Sequence, residues 1–255
     1  MIVKKKKSLI MLVCALMIVS SVAFGTIAYL TDRAGVTNRF TIGNVDIVVD
    51  ETEVDEDGKP IYPEGTPLNP DGTPVDPNVK PERTEEENQY PLIPGSEYIK
   101  DPTLTVKAGS EESYVRMLVT ISSAAEIKEI FAELAVQYPD KYADGFVPEQ
   151  HVTGWDSTKW NFVSMTENTT LNTFTLEFRY PTAVAATDTQ DVVLPALFET
   201  IKIPGELTNP HLTKLANLTI DVNGNAIQTT GFNTADEAWT AFDAQNNAAN
   251  APANP

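Results

Sequence analysis

The sequence contains very little cysteine, histidine and positive charge, and each shortage excludes a class of function. The single cysteine, Cys14, lies in the amino-terminal apolar segment, so the chain after it can form neither a disulfide nor a cysteine-ligated metal site. The two histidines, His151 and His211, lack the close spacing of zinc ligands. The sequence contains no nucleophile elbow, phosphate-binding loop or dinucleotide fingerprint. We therefore predict no enzyme activity, no cofactor and no metal site.

Acidic residues outnumber basic ones by two to one. The chain has 36 Asp and Glu against 18 Lys and Arg, which gives a net charge of −18. Four of the basic residues, Lys4–Lys7, precede the apolar segment, so the chain beyond residue 28 has a net charge of −22. Nucleic acid and anionic lipid carry the same sign and are repelled by such a surface. We expect no nucleic-acid partner.

The first 28 residues have the layout of a secretory signal peptide. Lys4–Lys7 form a positive block, residues 9–23 form an apolar run, and residues 26–28 end it with small side chains. We predict cleavage between Ala28 and Tyr29, secretion of the remaining chain, and membrane contact only before cleavage. The alternative is an uncleaved membrane anchor, since the apolar run and its flank could just span a bilayer of about 30 Å.

Residues 50–89 differ in composition from their neighbours. They are rich in Pro, Gly, Asp and Glu, and the unit acid-Gly-x-Pro-x-x-Pro occurs three times, beginning at Asp57, Glu64 and Asp71. Asp-Gly favours turns, and proline favours extended backbone without donating to a sheet. We predict a flexible insertion that contributes nothing to a hydrophobic core.

Most of the remaining sequence has the alternating pattern of β-strands. Apolar and polar residues alternate in segments 40–49, 104–107, 114–121, 174–180, 198–203 and 215–222. Asn223-Gly224, between two apolar segments, predicts a two-residue hairpin turn. Many short strands separated by turn residues predict a mainly β fold, either a sandwich or a barrel.

Two segments predict short peripheral helices. Ser123–Glu126 and Thr234–Glu237 each match a capping box at a helix start. An apolar stripe follows each box, and we predict that both stripes pack on the body of the protein. The predicted organisation is a signal peptide (1–28), an arm with the first strand (29–49), the insertion (50–89), the rest of the β domain (90–246) and a disordered tail (247–255).

Several segments together carry a resemblance to a known family. Residues 25–32 are GTIAYLTD and residues 38–47 are NRFTIGNVDI. They resemble the cleavage site and the first strand of the TasA/camelysin family, exported bacterial proteins processed by a SipW-type signal peptidase. Leu30 occupies a position that is aromatic in the family. Shorter matches lie at residues 94–96, 100–102, 113–116, 197–198, 220–232 and 238–239.

The resemblance implies a jelly-roll-like antiparallel β-sandwich and a secreted structural protein of the bacterial cell surface or biofilm matrix. The implied partners are a SipW-type signal peptidase, other copies of the chain and related matrix proteins. We hypothesise that fibres form by strand donation, because an exposed sheet edge can pair with an extended segment from a neighbour. The donor residues are Tyr29, Leu30, Val36 and Phe40.

Three alternatives remain open from the sequence. The arm 29–38 could instead be a frayed terminus or pair within its own domain. The protein could be a monomeric surface adhesin with Trp155 and Trp160 in a ligand groove. A camelysin-like metallopeptidase is the third alternative, although the chain lacks a recognisable zinc motif. The insertion 50–89 has no counterpart in the family.

Overall fold

The structure is a computed structural model that describes residues 31–34, 40–42 and 45–249, with side chains described over 45–246. The described strands are β1 (Thr31–Ala34), β2 (Phe40–Ile42), β3 (Ile47–Thr52), β4 (Arg83–Thr84), β5 (Glu97–Ile99), β6 (Thr103–Val106), β7 (Ser113–Ser122), β8 (Val152–Thr153), β9 (Asn161–Asn168), β10 (Thr173–Arg179), β11 (Val192–Val193), β12 (Thr200–Lys202) and β13 (Ile220–Gln228). The described helices are α1 (Ala124–Gln137), α2 (Pro139–Tyr142), α3 (Asn209–Lys214), α4 (Ala235–Ala249) and a 3₁₀ helix (Pro148–His151).

Several predicted features lie outside the described residues, namely the signal peptide, the bond between Ala28 and Tyr29, Leu30 and Val36.

The strands form three sheets in which every named pair is antiparallel. The largest sheet has the order β2-β1-β13-β7-β10-β9, the second β11-β6-β3-β4 and the third β5-β12-β8. The two long central strands, β13 and β7, pair from Ile220↔Ile121 to Gln228↔Ser113. The prediction of a mainly antiparallel β fold is confirmed.

The main core lies between the inner face of the six-stranded sheet and the layers that cover it. Along β7, Val115, Met117 and Val119 are buried on this inner face, as the two-residue period requires. The four-stranded sheet contributes Ile47 and Leu104, which are fully buried in the same cluster. The apolar stripe predicted for the first helix is α1, and it is buried in this core. Its packing therefore confirms the prediction.

The opposite face of the six-stranded sheet is covered by α4. Trp239 and Phe242 of this helix form a second buried cluster with Ile227 of β13. Arg116, on the outer face of β7, lies beneath the helix with its guanidinium 4.4 Å from the Trp239 ring centroid. It also donates to the Asp243 carboxylate, with Nη1 3.1 Å from Oδ2. The predicted docking of the second helix is thus confirmed.

The hairpin predicted at Asn223-Gly224 is wrong, because β13 runs straight through both residues. A glycine is needed at position 224 because a side chain would not fit against the neighbouring sheet, and the chain makes no turn there. A Cβ at this position would lie 2.6 Å from Val49 Cγ2 and 3.0 Å from Leu104 Cδ1. The missing side chain therefore lets the four-stranded sheet approach β13 closely. A glycine with this role has the same sequence signature as a turn glycine.

Replacing Gly224 with alanine is expected to lower the free energy of unfolding by about 2 kcal/mol, because the new methyl group overpacks the contact between the sheets. Urea denaturation measures the change. Gly205→Ala is the matched control, since its Cβ would come no closer than 3.7 Å to Gly95 Cα. Equal stabilities for the two variants would contradict the close approach.

Both predicted capping boxes differ from the observed helix starts. Ser123 has a φ of 59° and makes no side-chain cap, and the Asn172 side chain replaces it. Asn172 Oδ1 accepts a hydrogen bond from Ala125 N at 2.8 Å. At α4 the box is half formed, because Thr234 Oγ1 accepts from Glu237 N at 3.2 Å while the Glu237 carboxylate accepts from Asn233 N. A cap supplied by a residue distant in sequence leaves no local pattern.

The insertion consists largely of turns, and its two ends are attached to the body. β3 continues three residues into it, to Thr52, and β4 returns to pair with β3. Arg83 Nε donates to Asp50 Oδ1 at 2.7 Å, which holds the returning strand. Near the first turn, Gly58 lies against the Tyr98 ring, since a Cβ would meet Tyr98 Cδ1 at 2.5 Å. The flexibility of the segment as a whole stays a prediction.

The sequence analysis missed two α-helices, α2 and α3, and the 3₁₀ helix Pro148–His151. The helices α2 and α3 have only four and six residues, and each begins with a proline in its first turn. They are too short to give a periodic apolar pattern. The helix α4 ends at Ala249, three residues into the predicted tail. None of the helices in the described ranges is long and apolar enough to cross a membrane.

Candidate assembly site

Part of the predicted donor arm forms a strand of the six-stranded sheet in its own chain. The strand β1 pairs with β13 from Thr31↔Ile227 to Ala34↔Gly224. On its other side β1 pairs with β2, where Arg33 is opposite Phe40. The chain therefore reverses direction between these two strands. Of the four predicted donor residues, Phe40 lies in β2, and the other three lie outside the described residues.

The strand β13 is longer than the β1 strand that covers it. Within the described part of the chain, residues 220–223 have no strand partner on the β1 side. The backbone orientation of this free stretch follows from its pairing with β7. Ser122 N donates to Thr219 O at 3.1 Å, and hydrogen-bonded residues alternate along an antiparallel pair. Ile220 and Val222 therefore direct their N–H and C=O groups towards the side on which β1 pairs with residues 224–227.

A cleft of about 570 Å³ runs beside this uncovered edge. Its apolar wall combines side chains from β3, α3, the loop after α3 and the start of β13, namely Val49, Leu212, Leu215, Leu218, Ile220 and Val222. Its opposite side is formed by the returning end of the insertion, residues 84–90. An unpaired strand edge next to an apolar wall is the arrangement that accepts an added β-strand.

The cleft is strongly acidic. The lining residues that the structure describes include six carboxylates, from Asp50, Glu51, Glu85, Glu86, Glu87 and Asp221, and a single cation, Lys100. Lys100 is committed to Glu51, with Nζ 2.8 Å from Oε2 and both side chains nearly buried. Burial, and then the charge of Glu51, raise the pKa of the Tyr90 phenol, so this ring stays neutral. The cleft therefore favours a cationic segment.

The two histidines make different structural contacts. His211 caps α3, with Nδ1 accepting from Thr208 N at 3.2 Å and Nε2 3.1 Å from Glu133 Oε2. His151 stacks on Phe146, and its Nε2 is buried without a hydrogen-bond partner. Burial lowers the pKa of His151 to about 4. Among the residues that the structure describes, no group of three His, Cys, Asp or Glu side chains could hold a metal ion.

The two tryptophans of the predicted ligand groove have different environments. Trp160 is fully buried, and its Nε1 donates to Pro195 O at 2.9 Å. Trp155 is half-buried, donates to Trp160 O at 3.0 Å, and lines an apolar cavity. A surface groove formed by both rings is therefore absent from the described structure, because one ring is part of the core.

Comparisons with known proteins add no relative. No family model, curated protein or solved structure matches the chain. Two of the short motifs that carry the resemblance nevertheless meet in space, since Arg116 lies against Trp239. A third motif, Lys100-Asp101, contacts Glu51 and Thr52 of β3.

The start of β13, which has no partner on the β1 side among the described residues, was missed by the sequence analysis. The predicted turn at Asn223-Gly224 divided the strand in two, so its edge was not recognised. One signal was present, because residues 220–228 continue the alternation of apolar residues through Val222 and Ala226. The acidic wall contributed by residues 85–87 depends on the path of the insertion, which no local pattern encodes.

Proposed function

We propose that this protein is a secreted structural subunit of the bacterial cell surface or biofilm matrix that assembles into fibres by amino-terminal strand donation. The observation that carries the proposal is the half-covered strand β13. Thr31–Ala34 pairs with its second half, and its first half, which has no strand partner on that side among the described residues, lies beside a cleft. The same segment of a neighbouring copy can take this position and extend along the whole strand.

The register of β1 sets the contacts of a donated arm. Ala34 is opposite Gly224, so a straight continuation places Val36 opposite Val222 and Thr37 opposite Asp221. Residues directly opposite each other in an antiparallel pair point to the same face. Val222 is buried, and Asp221 is exposed. Val36 would therefore be buried in the neighbour, while Thr37 would face solvent.

Charge supports the same arrangement. Cleavage after Ala28 creates a positive α-amino group at Tyr29, and Arg33 and Asp32 cancel each other, so the arm carries a net charge of +1. The cleft beside the open edge is lined by carboxylates. Attraction between them orients the arm before it pairs, and salt weakens this attraction.

The donation is head-to-tail, so it propagates. Each subunit gives its arm to one neighbour and accepts the arm of another, which is a heterologous contact that builds open filaments. We further propose that the six-stranded and four-stranded sheets form a jelly-roll-like sandwich. The shared core of Ile47 and Leu104 with β7 supports this proposal. A rigid sandwich with a detachable first strand suits a fibre subunit.

Fibre formation by the mature protein, beginning at Tyr29, tests the proposal. We expect filaments in electron micrographs and a size distribution that grows with concentration. Deletion of residues 29–38 should abolish filaments, because it removes the donated strand. The substitution Val36→Asp should also abolish them, because a carboxylate buried in the cleft is unfavourable. Thr37→Asp, which adds the same charge at the solvent-facing position, should still assemble. Undiminished filaments from the deletion variant would refute strand donation.

Retention of the leader provides a second test. A chain that keeps residues 1–28 has its arm held at the membrane, so it should remain unassembled. Mass spectrometry of the secreted protein identifies its first residue, and we expect Tyr29. Secreted filaments whose subunits still begin at Met1 would contradict the requirement for cleavage.

A further inference from the structure

An apolar cavity in the main core is continuous with the cleft beside β13. The cavity has a volume of about 120 Å³, and its walls include Val119 of β7 and Leu176 of β10. Five apolar side chains line both spaces, namely Ile201, Ile203, Leu215, Leu218 and Ile220. The cleft therefore has an apolar extension that reaches into the core.

The cavity suits an uncharged ring. Its surface is almost entirely apolar, so a water molecule would find few of the two to four polar partners that it needs. The charged residues in its described lining, Glu149 and Lys202, have opposite signs, so they select no charged occupant. An apolar cavity of roughly 150 Å³ admits a molecule of the size of benzene. At about 120 Å³ this cavity is close to that size.

The inward-facing residues at the start of β13 lead from the cleft to the cavity. Val222 lines the cleft, whereas Ile220 and Leu218 line both the cleft and the cavity. All three belong to the main core or pack against it, as the two-residue period of a strand requires. A strand that pairs with the start of β13 therefore directs every second side chain along this path.

The position of Phe40 follows from the register that places Val36 of a donated arm opposite Val222 of the neighbour. Phe40 comes four residues after Val36, so it lies on the same face of the arm and level with Leu218. Leu218 N donates to Leu215 O at 3.0 Å, so the ladder of hydrogen bonds ends before this point. The register therefore brings Phe40 to the part of the cleft that opens into the cavity.

We infer that the cavity is an anchor pocket for fibre assembly and that it takes the Phe40 side chain of a neighbouring copy. The inference rests on the proposed strand donation and names the side chain that holds the arm. Within its own chain Phe40 is opposite Arg33, so the chain must straighten between β1 and β2 before the arm is donated. Burial of the phenyl ring offsets part of the cost of this opening.

Assembly of the mature protein and its Phe40→Ala variant tests the anchor. We expect the critical concentration for filaments, measured by sedimentation, to rise about tenfold, because the variant cannot bury a ring in the cavity. Phe40→Leu should lie between the two proteins. Thr41→Ala is the matched control, since Thr41 faces the other side of the arm, and it should leave the critical concentration unchanged. Circular dichroism checks that each variant is folded.

Benzene provides a readout that a purely structural role of Phe40 would not affect. Its binding is followed by the chemical shifts of the Val119 and Leu176 methyl groups, which line the cavity and not the cleft. Saturating benzene should raise the critical concentration of the unaltered protein and leave that of Phe40→Ala unchanged. The inference would be overturned by an absence of benzene binding, by unchanged assembly of the unaltered protein in benzene, or by an equal rise for both proteins.

A disulfide between copies separates failure of the anchor from failure of strand donation. The chain after residue 28 has no cysteine, so a mixture of a Val36→Cys protein and a Val222→Cys protein can form only engineered crosslinks. Opposite residues of an antiparallel pair lie within reach of a disulfide, so strand donation predicts the mixed product. If this crosslink forms while Phe40→Ala assembles like the unaltered protein, the anchor is refuted and donation stands. If it does not form, both are refuted.

Discussion

Replacing Arg116 with leucine is expected to lower the free energy of unfolding by about 3 kcal/mol, because it removes a buried cation from two carboxylates, one of them, Glu177, largely buried. The guanidinium is 5% exposed and donates two hydrogen bonds to Asp243, one to Glu177 and one to Asn225. It also lies over the rings of Trp239 and Phe242. Leucine leaves these polar groups without their donor and takes away the contact that fixes α4 to the sheet.

Urea denaturation, monitored by circular dichroism, measures this loss, and exchange of the α4 amides reports the release of the helix. Arg116→Lys should recover part of the stability, since it keeps the charge and loses the planar fork. The control is Lys128→Ala, which breaks an exposed pair with Glu167 and should change stability by less than about 1 kcal/mol. A leucine variant as stable as this control would show that α4 is held by apolar contact alone.

Acidification from pH 7 to pH 4 should cost the protein about 3 kcal/mol of stability through His151 alone. Burial, and then the charge of Lys141, lower the pKa of this imidazole from 6.5 to about 4. Between these two values the unfolded chain binds a proton that the native protein does not. Stability therefore falls as the pH drops below 6.5, and the effect is complete near pH 4.

The comparison with His151→Phe isolates this effect, because phenylalanine keeps the stack on Phe146 and cannot titrate. Carboxylates whose pKa is lowered in the native state, such as Glu133 and Asp191, also destabilise the protein in acid, but they do so equally in both proteins. Urea denaturation at several pH values should give curves that diverge between pH 6.5 and pH 4. Parallel curves would contradict the buried neutral state of His151.

Interactions between neighbours in sequence were predicted well. The alternation along residues 114–121 and 174–180 predicted β7 and β10, because one face of each strand must be apolar to be buried. The stripe at Ile127 and Leu134 predicted the buried face of α1 for the same reason with a helical period. In both cases the signal and the contact lie on the same short segment.

Features that depend on distant residues were not predicted. Gly224 has the signature of a turn, and only the approach of Val49 from another sheet explains it. The start of α1 is capped by Asn172, which is distant in sequence from Ser123. The position of Arg116 between sheet and helix depends on α4, which comes more than a hundred residues later.

The sequence by itself determined the mainly antiparallel β architecture, the acidic charge and the absence of a thiol after residue 28, because composition and period are properties of single segments. The tertiary structure alone decided that Thr31–Ala34 pairs with the second half of β13 and that an acidic cleft lies beside its first half. Each of these depends on which distant segments come together in space. Packing of the whole chain sets that arrangement, and no local pattern records it.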